Sequence, residues 1–200
     1  MVAIVDYGVG NLLAIQNIVK KAGGTSVITS DVKTIESAGK IILPGVGSFS
    51  YGMDQLLKRD LISFLADQVF GQKKIILGLC LGAQLMTQES EEGFCRGLGW
   101  VHAVTKKFDE QIVSVTPHMN WASVRFLPNP LSKGMEAEAR FYFVHSYHFQ
   151  FTDASEVIAT AHYGYDFACA FQRDNIFGVQ FHPEKSHRFG IKLFENFIKL

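Results

Sequence analysis

The pentapeptide Gly78-Leu79-Cys80-Leu81-Gly82 sets one cysteine between two glycines, each two residues away. This is the spacing of the G-x-S-x-G nucleophile elbow, with sulfur in place of oxygen. Ile75 to Leu79 is a short apolar run of the kind shown by a strand buried on both faces, and Leu81 to Gln88 is rich in helix formers. A turn tight enough to join them strains its central residue, and small flanking residues let the backbone close around it. The turn also places Cys80 at a helix N-terminus, where the positive end of the dipole favours a thiolate. A buried structural cysteine would read the same locally, because a free thiol packs as a small hydrophobe. The far end of the chain separates the two readings. In Gln180-Phe181-His182-Pro183-Glu184, Pro183 disfavours a helical His182 and pushes it towards an extended conformation. In an extended chain His182 and Glu184 share a face, roughly 6.5 Å apart. A carboxylate there accepts the imidazole N–H, fixes the tautomer and leaves the other nitrogen as a base. Alone, such a segment reads as a turn with a solvated acid. Together with a cysteine elbow it completes a Cys-His-Glu set for nucleophilic catalysis.

The rest of the chain reads as the frame for these residues. Residues 2–6 form a first core strand, followed by a helix from Leu12 to Ala22 that Gly23-Gly24 caps, and by a strand over Thr25 to Thr29. Gly8 and Gly10 make a tight turn rather than a dinucleotide fingerprint, since Leu13 stands where the third glycine belongs. Ile41-Ile42-Leu43 is a third buried strand. It ends in Pro44-Gly45-Val46-Gly47-Ser48-Phe49, a loop able to turn backbone N–H groups towards a ligand, with Ser48 placed to cap the next helix. Helical segments are expected from Met53 to Lys58 and from Leu61 to Phe70. The order predicts an α/β fold with an open, doubly wound, mostly parallel sheet, of the flavodoxin-like kind. Beyond about residue 94, short β-type runs at Val101 to Val104, Gln111 to Val115, Ser123 to Phe126 and Phe141 to Val144 predict a mixed or antiparallel extension of the same sheet. Ala168 to Phe171 and Ile176 to Phe181 can pair as a hairpin, and a final helix runs from about Phe189 to Lys199 with Ser186 as its cap.

Composition narrows the function classes. Across 200 residues, 19 basic and 19 acidic side chains cancel, which leaves no basic footprint for nucleic acid or a membrane surface. No apolar run approaches the roughly 18 residues of a transmembrane helix, and the N-terminus lacks the basic start of a signal peptide. Cys80, Cys95 and Cys169 are an odd number without framework spacing, which points to reduced thiols and a cytoplasmic protein. No Cys/His cluster has metal-ligand spacing, and no cofactor is expected. With no internal repeat or linker, residues 1–200 read as one domain.

Two heptapeptides, Gly78-Leu79-Cys80-Leu81-Gly82-Ala83-Gln84 and Gly178-Val179-Gln180-Phe181-His182-Pro183-Glu184, resemble those of the class I (triad) glutamine amidotransferases. Within that family the chain is most similar to the glutaminase subunits of imidazole glycerol phosphate synthases. The likeness extends to Asp6-Tyr7-Gly8-x-Gly10-Asn11, to Pro44 through Phe49, to Glu89-Ser90-Glu91-Glu92, to Pro117-His118-Met119-x-Trp121 and to Phe143-Val144-His145-Ser146-Tyr147. It covers essentially the whole chain. The resemblance implies hydrolysis of glutamine to glutamate and ammonia, with Cys80 attacking the amide carbon, His182 moving the proton and Glu184 orienting His182. Backbone N–H groups at Leu81 and in the Val46-Gly47 loop would hold the oxyanion. By the same likeness, Gln84, Glu92 and the Ser146-Tyr147 backbone would hold glutamine, while Cys95 and Cys169 are structural.

The family also implies a partner, a (β/α)8-barrel synthase in a heterodimer that uses the ammonia to make imidazole glycerol phosphate and AICAR in histidine biosynthesis. Asn11, His118, Met119, Trp121 and Lys185 are the residues expected on that interface. Lys185 in a strand would point away from the triad, and Trp121 is an aromatic of the kind that anchors interfaces. The chain departs from the family at Asn120, where glycine is usual, and at Ala122, where asparagine is usual. These departures keep open a paralogous role, supplying ammonia to a surface-sugar amidotransferase. A cysteine peptidase-like protein of the same fold is a more distant alternative.

Overall fold

The computed structural model describes all 200 residues, Met1–Leu200. Five strands form its parallel half: β1 (Val2–Val5), β2 (Ser26–Thr29), β3 (Lys40–Leu43), β4 (Ile75–Leu79) and, late in the chain, β13 (Ile176–Val179). They lie side by side in the order β2-β1-β3-β4-β13, and every neighbouring pair is parallel. Six helices connect or cover them: α1 (Leu12–Lys21), α2 (Val32–Ser37), α3 (Phe49–Lys58), α4 (Leu61–Ala66), α5 (Leu81–Leu85) and α6 (His187–Lys199). The sheet continues on the far side of β13 through short strands β5 (Glu89–Ser90) and β6 (Cys95–Arg96), then β7 (Ala103–Lys107), β8 (His118–Phe126), β9 (Arg140–His145), β10 (Tyr147–Phe151), β11 (Val157–Tyr163) and β12 (Tyr165–Arg173). All thirteen strands join one connected sheet, in which β12 pairs antiparallel with both β13 and β11. No helix is long and apolar enough to cross a membrane.

Side-chain alternation divides the core. Along β1, Val2 and Ile4 enter one apolar cluster while Ala3 and Val5 enter another. The first cluster takes Ile15, Ile18 and Val19 from α1 and Leu193, Phe194 and Phe197 from α6. The second takes Ile35 from α2, Leu56 from α3, Leu65 from α4 and Leu81 from α5. A strand buried on both faces reads as an unbroken apolar run because both clusters claim its residues. The doubly wound expectation therefore holds in this half of the chain.

Several local expectations do not hold. Gln111 to Val115 is no strand: Asp109 accepts from the N–H of Ile112 and Val113 at its carbonyl and from Gln111 at its side chain, which winds the segment into a turn. The strand expected at Val101 to Val104 lies at Ala103–Lys107, because pairing with β10 sets its limits at Phe151 and Tyr147. The helix after Cys80 stops at Leu85 rather than Gln88, and the segment from Leu61 widens into a π turn over Asp67–Gly71. Ser48 and Ser186 stand at helix starts without capping through their side chains. Glu92 caps α3 instead, accepting the Phe49 N–H at 2.8 Å, and the Ser186 hydroxyl donates to the His182 carbonyl at 2.6 Å. Strands β5, β6, β10 and β11 and helix α2 have no counterpart among the elements expected from the sequence.

The elbow explains its own glycines. A Cβ on Gly78 would lie 2.6 Å from the Cα of Ala83, and one on Gly82 would run into the Leu43 carbonyl oxygen. Helix α5 is thus seated backbone to backbone on the end of β3. Gly82→Ala is expected to lower the unfolding free energy by about 2–3 kcal/mol or more, as overpacking against backbone does. Gly39→Ala, at an exposed position with no atom closer than 4.0 Å, should be neutral within about 0.5 kcal/mol. Urea unfolding of both variants checks this, and equal stabilities would contradict it.

Candidate active site

Cys80 occupies the turn between β4 and α5 with φ +50° and ψ −111°, a backbone conformation that costs a non-glycine residue about 1–3 kcal/mol. The surroundings hold it there. Its N–H donates to the Val179 carbonyl at 2.8 Å, and its carbonyl accepts from Ala83 and Gln84 at 3.0 Å each. The parallel register Leu79↔Val179 brings the end of β13 alongside the elbow, so the chain leaving β13 must pass the cysteine.

That chain carries His182. Its N–H donates to the Tyr142 carbonyl at 2.8 Å, which ties it to β9, and Pro183 then opens a 3-10 turn over Pro183–Lys185. Glu184 is therefore in a turn and not in the extended chain expected from the sequence. The turn folds its carboxylate back onto the imidazole, where Oε1 lies 2.8 Å from Nδ1 and both side chains are only 3% exposed. Nε2, the nitrogen left over, is buried without a hydrogen-bond partner of its own and belongs to the same cleft as Cys80. Burial disfavours charge on His182. The Cys80 sulfur and the Glu184 carboxylate outweigh burial and raise its pKa from 6.5 to about 10. An imidazole so placed can exchange a proton with the sulfur and with a leaving group above it.

The cleft has a volume of about 280 Å³. Val46, Gly47 and Leu81 line it with Cys80, as do Gln84, Glu92, Ser146 and Tyr147. All the residues expected to hold an oxyanion or glutamine are thus gathered around one cysteine. Gly47 takes φ +103° in its exposed loop, a backbone state that suits glycine. The Gln84 amide donates to the Tyr147 carbonyl at 3.2 Å and to Gln180 Oε1 at 3.0 Å. The Tyr147 carbonyl also accepts from His145 Nδ1 at 2.6 Å. Beneath the cleft, the Tyr7 hydroxyl donates to the Pro44 carbonyl at 2.5 Å, and burial, with Cys80 nearby, keeps that hydroxyl protonated. Pro117, Val144 and His145 also line the cleft without having been expected there. His145 and Pro117 arrive together through the β8–β9 register His118↔His145, which no local pattern announces.

The residues expected at an interface divide. Asn11 is exposed, with its side chain accepting from Ala14 at the start of α1, and Met119 is 64% exposed. Trp121 is half-buried, stacked on His187 at 5.3 Å between ring centroids and edge-on to Tyr142. Lys185 is exposed with Nζ 5.3 Å above the Tyr142 ring. His118 does not belong with them. It is only 2% exposed, stacked between Tyr163 and Phe143, with Nδ1 3.2 Å from His145 Nε2. Alternation along β8 turns it inward where Met119 and Trp121 turn out. Cys169 is buried, which pushes its thiol pKa well up, and Cys95 bonds only the neighbouring Arg96 carbonyl.

Two pH dependences follow from this geometry. For His182 the carboxylate raises the pKa, so Glu184→Gln must lower it. NMR of the ring should show the wild-type imidazolium persisting to about pH 10 and titrating at lower pH in the variant; an unchanged midpoint would contradict the pairing. For the inner histidines the sign is opposite. Burial lowers His118 to about 4 and His145 to about 3. Folded values below the ordinary 6.5 mean that the unfolded chain takes up protons first. This stability is complete above about pH 6.5 and is lost as pH falls towards 4, at about 1.4 kcal/mol per pH unit for each histidine. Urea unfolding between these pH values should show a slope shallower by about one proton in His118→Phe. Identical slopes would contradict it.

Comparison with known proteins agrees with this geometry. The family model described as Glutamine amidotransferase class-I matches residues 3–200. The imidazole glycerol phosphate synthase subunit HisH 2 of Methanococcus maripaludis is 48% identical over 200 residues, covering 100% of this chain and 99% of that protein. The protein of the same name from Pseudomonas aeruginosa is 42% identical over 201 residues, covering 100% of both. Among solved structures, PurLQS from Thermotoga maritima superposes with a TM-score of 0.77 over 99% of this chain and 97% of that one, at 18% identity. A glutamine amidotransferase from Thermotoga maritima gives 0.63 over 99% and 83%, at 14% identity, and both show the fold alone. With an elbow cysteine, a His–Glu pair beside it and a family match over nearly its whole length, this chain belongs to the class I glutamine amidotransferases.

Proposed function

We infer that this chain is the glutaminase subunit of an imidazole glycerol phosphate synthase, acting in the cytoplasm through one catalytic unit that spans residues 1–200. The observation that carries the reading is the meeting of Cys80 with the His182–Glu184 pair, in the cleft that also holds Gln84, Glu92 and Tyr147. Full-length likeness to subunits of that name supports the pathway.

In this reading the Cys80 thiolate attacks the side-chain amide carbon of glutamine. The charge that develops on oxygen is met by the Leu81 N–H and by an N–H of the Val46-Gly47 loop, and removing one such donor typically costs about 10²–10³ in rate. His182 gives its proton to the departing nitrogen, which leaves as ammonia, and a thioester remains on Cys80. Water then attacks the thioester while His182 takes its proton, releasing glutamate and restoring the thiolate. Glu184 keeps Nδ1 occupied throughout, so Nε2 alone faces the reaction.

The ammonia passes to a (β/α)8-barrel synthase partner seated over Asn11, Met119, Trp121 and Lys185. On that face Trp121 stacks on His187 and Lys185 lies over the Tyr142 ring. Asn120, exposed, and Ala122, half-buried, both on the same strand as Trp121, are the departures from the family that leave a surface-sugar amidotransferase as the second candidate acceptor.

Cys80→Ala tests the chemistry. Glutamine-dependent synthesis with the partner should fall at least about a thousandfold, given that triad members typically contribute about 10⁴ or more. Synthesis from added ammonium should persist, because free ammonia bypasses the first half-reaction. Retention of glutamine-dependent turnover would overturn the nucleophile assignment, and purifying the complex from cells would identify the acceptor.

A further inference from the structure

Gln180 is wholly buried between the nucleophile and the substrate wall, and the reaction steps of Cys80, His182 and Glu184 give it no task. Its side chain reaches Cys80 Sγ with Nε2 at 3.6 Å and accepts from Gln84 at Oε1, while its own backbone N–H is committed to the Cys169 carbonyl at 2.8 Å. Which end of each amide faces which neighbour follows from chemistry. The Tyr147 carbonyl can only accept, so the Gln84 atom 3.2 Å from it is the NH2 group. The same NH2 faces Gln180 at 3.0 Å, so Gln180 must present oxygen there. Its remaining end, an N–H donor, is then aimed at the sulfur. The polarity of the whole chain Tyr147–Gln84–Gln180–Cys80 is fixed from its far end by one backbone carbonyl.

We propose that Gln180 positions the Cys80 sulfur and stabilises its thiolate through this directed N–H, linking the nucleophile to the backbone that would hold glutamine. The inference rests on Cys80 being the nucleophile. A donor to an ionised acceptor favours the ionised form and roughly doubles the strength of a neutral hydrogen bond. Gln180 is wholly buried, so on its side of the sulfur water supplies no substitute. Because Gln84 shares its NH2 between Tyr147 and Gln180, a substrate that draws on the Tyr147 segment also acts on the donor behind the sulfur. The other titratable groups around Cys80 are His182, Tyr7 with its hydroxyl on Pro44, and His145 and Glu92 on the lining of the same cleft. None of them bonds Gln180.

The experiment is the pH dependence of Cys80 alkylation by iodoacetamide, read by peptide mass, in the wild type, Gln180→Met and Gln180→Glu. The wild type comes first: if its Cys80 is not alkylated, the proposed chemistry fails whatever Gln180 does. With a reactive wild-type Cys80, Gln180→Met should raise the alkylation midpoint by about one pH unit, equivalent to losing one hydrogen bond to a charged group. Gln180→Glu should raise it further, because an ionised carboxylate opposes the thiolate. In glutamine hydrolysis, kcat for Gln180→Met should fall about tenfold while KM changes less than about twofold, the split expected of a group that acts on the nucleophile. A folded Gln180→Met with the wild-type midpoint overturns the proposal. If that variant does not fold, the native chain decides: the Gln180 side-chain amide resonances must move as Cys80 titrates and again when it is alkylated. Resonances that stay fixed overturn it as well.

Discussion

The N–H of Cys80 bonds the Val179 carbonyl at 2.8 Å, and much of the site depends on that contact. It is the last rung of the parallel ladder between β4 and β13, in which Leu79 faces Val179. The ladder does two things at once. It fixes the elbow in a backbone state that an isolated chain would abandon, and it delivers the segment carrying Gln180, His182 and Glu184 to the cysteine's side. Strain at Cys80 is tolerated because Gly78 and Gly82 let α5 sit directly on the backbone of β3 and on its own strand. A parallel pair cannot be joined by a short turn, so the long excursion through β5 to β12 is the connection that this geometry demands.

Around that rung the buried polar groups are shared, not isolated. The Tyr147 carbonyl takes hydrogen bonds from Gln84 and His145, the Glu92 carboxylate caps α3, and Ser186 ties the His182 carbonyl to the strand carrying Tyr142. Each of these groups faces or adjoins the cleft, and each also holds part of the frame. A buried network of this kind is costly to break at any member, since the group left behind loses its partner in a medium that offers no water. The cleft is therefore preformed at Gln84 and Tyr147, while Val46, also on its lining, is 45% exposed in a glycine-rich loop.

The candidate site was legible in the sequence wherever it is local. The spacing around Cys80 and the His-Pro-Glu segment are patterns of a few residues, and four of the parallel strands, β1, β3, β4 and β13, announce themselves as apolar runs because both sheet faces are covered. What the sequence conceals is pairing. Gln180 directly follows the apolar strand β13 and meets Cys80 only because β4 and β13 align in one register. His118 reads as part of a surface motif with Met119 and Trp121, yet strand alternation and pairing with β9 send its ring inward. Gln111 to Val115 has strand composition, but Asp109 offers two acceptors that turn the backbone before any strand partner can claim it. Glu184 reaches His182 by a turn where an extended chain was expected, since the contact can be made from either conformation.

In the proposed reaction the cysteine in the strained turn, and neither of the other two, is the group that attacks glutamine. Its role is tested most directly by treating the intact protein, with its synthase partner, with the diazoketone analogue of glutamine and mapping the covalent adduct by peptide mass spectrometry. The expected result is a single adduct on Cys80, suppressed by excess glutamine and absent from Glu184→Gln or His182→Gln protein at the same exposure. An adduct on Cys95 or Cys169, or labelling of Cys80 that glutamine does not suppress, would contradict it.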